Sequence, residues 1–148
     1  DGFAGPVGWT WATLLSNRVF DLWTHQQDIR RAVDRPGGLA GPGGAHGLRH
    51  LGRSLPYVLG KKVEAPAGTS VVLEITGEHP ATLAAAVGED GRAASISPPD
   101  DPTARIAMDF ETFMILASGR RTPDQVTTRV VGDADVAAAV LANLAVTP

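Results

Sequence analysis

Residues 35 to 44 read Arg-Pro-Gly-Gly-Leu-Ala-Gly-Pro-Gly-Gly, with five Gly and two Pro in succession. A stretch of this composition has no core-forming capacity and interrupts regular backbone structure, so it divides the chain and reads as a linker. Residues 1–34 and 45–148 are left to carry the structure. The total of 148 residues suits one ordinary domain or two small pieces sharing a core, and excludes two full-size domains.

Ahead of the linker, Gly5-Pro6-Val7-Gly8 ends an irregular start and Thr10 stands where a helix N-cap belongs. Leu14, Leu15, Val19, Leu22, Ile29 and Val33 follow at helical spacing, predicting one long helix over 10–34 with these residues inward. Beyond the linker a second helix is expected over 45–59, with Leu48, Leu51, Leu55 and Val58 on one face and Gly60 ending it. The period then changes from helical to alternating. A strand at 70–76 is followed by a hairpin pairing 82–87 with 92–97 through Gly88-Glu89-Asp90-Gly91, then by a strand at 105–108. Asp109 caps a helix carrying Phe110, Phe113, Met114 and Ala117, closed by Gly119. A β-branched strand at 126–131 and Gly132-Asp133 lead to a last helix with Val136, Val140, Leu141 and Leu144 inward. This order describes an α+β fold with helices layered on one sheet.

Composition narrows the function. Hydrophobic residues are 43% and charged residues 20%, as in globular domains. Thirteen Lys and Arg face 16 Asp and Glu, for a net charge of −3, and no basic block exceeds two residues, so no nucleic-acid partner is expected. Apolar runs are too short for a transmembrane helix or secretory leader, giving an expectation of no membrane partner and a cytoplasmic protein. Cysteine is absent, which removes disulfides, thiolate nucleophiles and Cys-ligated metals, and leaves any metal to His, Asp and Glu. The chain opens Asp1-Gly2-Phe3 without an initiator Met, as a processed start would.

Arg18, Asp21, His25 and Asp28 are spaced by three, four and three residues and share one face of the first helix. Their apolar neighbours predict that this polar stripe is partly buried. A carboxylate and an imidazole at i and i+4 can bind one divalent ion, but two ligands are too few and a third must come from another segment or chain. From spacing alone a hydrogen-bonded pair or a solvated face is the commoner outcome. His46 and His50 form a rival i, i+4 pair, read as solvated surface beside Arg49 and Arg53, and His79 stands alone in a Glu-His-Pro turn.

The segment RVFDLWTHQQDIRRA at 18–32, followed by Arg35-Pro36-Gly37-Gly38, resembles the last helix of the metal-binding domain in the mycothiol-dependent maleylpyruvate isomerase family, a branch of the DinB-like four-helix bundles. The order of later elements, the stretch from Phe113 to Arg120 and Val130-Val131-Gly132-Asp133 look like that family's C-terminal domain, which is similar to sterol-carrier-protein-2 (SCP2) folds. The resemblance spans about residues 8–146. It implies an incomplete DinB-like bundle at 1–34, a linker at 35–44 and an SCP2-like domain at 45–148.

It further implies zinc or another divalent metal on Asp21 and His25, completed by a His from an earlier helix. The metal would lower the pKa of a mycothiol thiol for addition to a small electrophile, giving isomerisation or thiol transfer. Asp28 would then take a supporting role with Arg31 or an outside Arg. Arg120 would anchor a carboxylate of substrate or thiol, although an Arg at a helix end also balances the helix dipole. Asp21 departs from the Glu familiar at its position, and the earlier bundle helices are not in these residues. The chain is therefore expected to be a fragment whose N-terminal helix exposes Leu14, Leu22 and Trp23 and either self-associates through them or packs on the C-terminal domain. The alternatives are an SCP2-like carrier of an apolar ligand, in which Phe110, Phe113, Met114 and Ile115 would line the cavity although they read more simply as core, and a metal-free structural or regulatory homologue.

Overall fold

The computed structural model describes residues 10–146. The chain forms two compact units that divide between His50 and Leu51.

In the first unit, Thr10 Oγ1 accepts a hydrogen bond from the Thr13 backbone N–H at 3.2 Å and starts α1, Trp11–Ala32. This cap is the one the sequence requires. The inward face is not. Phe20, Trp23, Thr24 and Gln27 are buried, whereas Leu15, Val19, Leu22, Ile29 and Val33 are exposed, Leu22 to 69%. Trp23, expected at the surface, is 7% exposed. The helix carries two competing apolar stripes, and the one with the larger rings is buried, in keeping with the area an aromatic side chain removes from water.

The Gly-rich segment explains how Trp23 is covered. Helix α2, Pro42–Gly52, begins inside the expected linker, with Pro42 at its first position, where a missing N–H costs nothing. A Cβ on Gly43 would stand 2.5 Å from Trp23 Cδ1, so the absence of a side chain there lets α2 lie directly on the indole. The His50 ring stacks on Phe20 with centroids 5.3 Å apart. The expected last helix of a DinB-like four-helix bundle ahead of an SCP2-like domain is thus corrected. Among the described residues the partner of α1 in its unit is α2, and no bundle is formed.

The helix expected over 45–59 is broken. Pro56 has no N–H to donate, Ser54 N–H turns back to Leu51 O at 3.0 Å, and a short α3, Leu55–Tyr57, widens into a π-type turn, Val58–Lys62. Val63 N–H closes that turn on Val58 O at 2.9 Å.

The sheet follows, with β1 Ser70–Thr76, β2 Ala81–Val87, β3 Ala93–Ser95, β4 Ala104–Asp109 and β5 Arg129–Gly132 in the order β3-β2-β1-β4-β5. β1 and β4 are parallel and the other pairs antiparallel. Val71, Leu73 and Ile75 pair with Ala104, Ile106 and Met108, so one face is continuously apolar. Helices α4, Phe110–Ala117, and α5, Ala134–Asn143, contribute Phe113, Met114, Val140 and Leu141 to the same buried core. On the opposite face Arg105 Nη1 donates to Glu74 Oε1 at 2.7 Å. Its Nη2 donates to Pro99 O and Asp100 O at 3.2 Å, fastening the loop before β4.

Gly132 ends β5 at φ 94°, and a Cβ there would lie 2.5 Å from Thr103 O. Asp133 N–H donates to that same oxygen at 2.8 Å, so the clash cannot be relieved without disturbing the start of α5. Gly132→Ala is expected to lower unfolding stability by about 1–3 kcal/mol, measured by urea denaturation. A change within error would show that the turn yields freely.

Candidate functional site

Asp109 Oδ1 accepts from Thr112 N–H at 2.7 Å and turns the chain from β4 into α4. The helix ends at Gly119, φ 68°, with Gly119 N–H on Leu116 O at 3.0 Å and Arg120 N–H on Ile115 O at 2.9 Å. This left-handed cap releases the chain sideways instead of onward. Thr122 N–H is then held by Gln125 Oε1 at 3.1 Å, which fixes a short 3₁₀ turn at Pro123–Gln125.

Between the end of α4, that turn and α5 lies a cleft of about 240 Å³. Leu116, Leu141, Ala142 and Ala145 supply apolar walls, and Arg120, Arg121, Thr122 and Gln125 a polar rim. Arg120 Nη1 donates to Ser118 O at 2.6 Å, which orients the guanidinium against the helix end. Arg121 is exposed. Among the described residues that line the cleft there is no carboxylate, imidazole or thiol, and its charged lining groups are the Arg120 and Arg121 guanidiniums. Phe110, Phe113, Met114 and Ile115, considered in the sequence as a ligand enclosure, are between 0% and 7% exposed and pack as core. The neighbouring Leu116 is the residue of this helix that reaches the cleft. Its opposite wall comes from α5, more distant in sequence than any local pattern registers.

Asp21 and His25 do meet, His25 Nε2 lying 3.4 Å from Asp21 Oδ1, but His25 Nδ1 lies 3.5 Å from Asp28 Oδ2. The two carboxylates therefore sit on different nitrogens of one imidazole and do not converge on a common point. The Arg18 and His25 side chains are 69% and 61% exposed and those of Asp21, Asp28 and Arg31 44%, 35% and 27%, so the stripe is a row of charged and polar pairs, open at Arg18 and His25 and partly buried at Asp21 and Asp28 as expected, with Arg31 Nη1 3.6 Å from Asp28 Oδ1. No group of three or more His, Cys, Asp or Glu among the described residues could hold a metal ion. The expected zinc on Asp21 and His25 is corrected accordingly. With it go mycothiol as cofactor, the thiol and electrophile as partners, and the isomerase or transferase chemistry.

His46 and His50 are less exposed than the sequence suggests. Ser16 Oγ lies 3.1 Å from His46 Nε2 and 3.2 Å from His50 Nδ1, and His46 Nε2 donates to Ser16 O at 2.9 Å. They join α2 to α1. His79 stands edge-on to Phe110, centroids 4.8 Å apart.

No known protein family and no curated protein matches the chain, which leaves the resemblance to the maleylpyruvate isomerase family without support. Among solved structures, the chain is similar to apo sterol carrier protein 2 from Yarrowia lipolytica, at 17% identity and a TM-score of 0.46, over 68% of this chain and 89% of that one. It is similar to sterol carrier protein 2 like 2 from Aedes aegypti at 16% identity and 0.43, over 64% and 93%. A conserved hypothetical protein from Thermus thermophilus, described as possibly a sterol carrier protein, follows at 14% identity and 0.42, over 65% and 79%. At such values these likenesses carry no argument about activity. No helix among the described residues is long and apolar enough to cross a membrane.

Because His25 lies in an exposed ion-pair row, His25→Ala is expected to change stability by no more than about 0.5 kcal/mol and to leave the far-ultraviolet dichroism intact. A loss of several times that size would reveal a buried role.

Proposed function

We propose that the unit from residue 51 onward is a non-enzymatic carrier of a small amphiphile with an apolar chain and an anionic head. The observation that supports this reading is the cleft between α4 and α5, where aliphatic walls sit under two guanidinium groups. An apolar chain entering it leaves water for Leu116, Leu141 and Ala145, at a gain of roughly 25 cal/mol per Å² buried. A carboxylate at the rim meets Arg120 and Arg121, and the planar fork of an arginine is suited to two parallel hydrogen bonds. Arg120 is here an anchoring residue, held in place by Ser118 O.

The volume of about 240 Å³ is below the roughly 300–1,000 Å³ of drug-sized sites. The cleft therefore takes a short chain, or one end of a longer ligand.

Titration with dodecanoate, followed by calorimetry, tests the reading. Saturable binding is expected, weakened about tenfold or more by Ala142→Trp, which places an indole in the cleft from an exposed position and spares the core. Dodecanol is expected to bind more weakly than dodecanoate. Absence of binding, or equal binding by the tryptophan variant, would overturn the carrier reading.

A further inference from the structure

The chain's two lysines are adjacent, Lys61 and Lys62, at the end of the π-type turn. Lys62 Nζ is committed, donating to Ala145 O at 2.6 Å. Lys61 instead lines a second cavity, of about 270 Å³, between α3 with its π-type turn and the tip of the β2–β3 hairpin.

Two close fits build this cavity. A Cβ on Gly60 would lie 2.8 Å from Ala93 Cβ, so the bare glycine allows the turn to press against β3. Across from it the hairpin is tightened by Gly88 N–H on Arg92 O at 2.9 Å, Gly91 at φ 74° and Arg92 N–H on Asp90 Oδ1 at 3.0 Å. Asp90 thus serves the turn backbone. The Arg92 side chain joins Lys61 in the lining, along with Pro56 and the Tyr57 ring, which is 57% exposed. Among the described residues, no hydrogen bond or ion pair engages the Lys61 ammonium, the Arg92 guanidinium or the Tyr57 hydroxyl. In a chain of net charge −3, the described residues that line this cavity include two cations and no carboxylate.

We propose that the cavity binds a phosphate monoester, its phosphate bridging Lys61 and Arg92 and its organic part lying on Tyr57 and Pro56. A phosphate dianion presents several acceptor oxygens to donors arriving from two different elements, with the ammonium acting as a point charge and the guanidinium as a fork. The Tyr57 ring offers an apolar face and a hydroxyl at one edge, as a ligand with a charged and an uncharged end requires. The ester is a soluble phosphorylated compound or a phospholipid headgroup with a terminal phosphate. The site is separate from the α4–α5 cleft, so it stands or falls independently of the carrier reading.

The test uses phenyl phosphate in solution and, in parallel, phosphatidylcholine vesicles with and without phosphatidic acid. Amide resonances of Lys61, Gly91, Arg92 and Ala93 are expected to shift saturably with phenyl phosphate, or the protein to sediment with vesicles only when phosphatidic acid is present. The first outcome identifies a soluble ester and the second a headgroup. In either arm, combining Lys61→Glu with Arg92→Glu is expected to weaken binding about tenfold or more, while Arg129→Glu and Ala142→Trp leave it unchanged. Failure of both probes, indifference to the double reversal, or an equal loss with Arg129→Glu, which would reduce the effect to net charge, overturns the proposal.

Discussion

Strands β1 and β4 run parallel at the centre of the sheet, and parallel neighbours cannot be joined by a tight turn. The chain must leave β1, build the β2–β3 hairpin on one flank, and return across the far face before β4 can begin. The return is held where Arg105 meets Glu74 and the carbonyls of Pro99 and Asp100. Once β4 is in register, Ile106 lies beside Leu73 and Met108 beside Ile75, and the core has its floor. Asp109 then ends the strand and caps α4 in one residue, which folds that helix back over the apolar face it has just completed. The cleft at the far end of α4 exists because the helix stops at Gly119 before it outruns α5.

Where one residue type has one local job, the chain is readable without coordinates. Asp109 as a cap, Gly119 as a helix end and the inward Val71, Leu73 and Ile75 of β1 all act within a few residues of themselves. Reading fails where two local solutions compete. Helix α1 has an aliphatic stripe and an aromatic stripe, and periodicity cannot choose between them; the glycines of α2, which pattern as a linker, decide the matter by accepting Trp23. The break at Pro56 was equally visible as a residue and equally silent as to direction. Of the candidate site, Arg120 was legible as an arginine at a helix end. The rest of the cleft was not, because its second wall is brought in by tertiary packing of α5.

The polar row on α1 shows how a ligand-like spacing can serve an ordinary purpose. One turn of helix brings a carboxylate and an imidazole together whether or not a metal is wanted. What separates the two cases is convergence, and His25 divides its nitrogens between Asp21 and Asp28.

Lys62 and Ala145 are 83 positions apart, yet one short hydrogen bond joins them. A backbone bond, Val146 N–H to Ala117 O at 3.2 Å, ties the same stretch to the end of α4. Ala145 and Val146, just past α5, are therefore tied both to the segment that enters β1 and to the end of α4. Opening that stretch breaks a side-chain bond to the π-type turn and a backbone bond to the end of α4 together, so two elements far apart in sequence resist the same local movement.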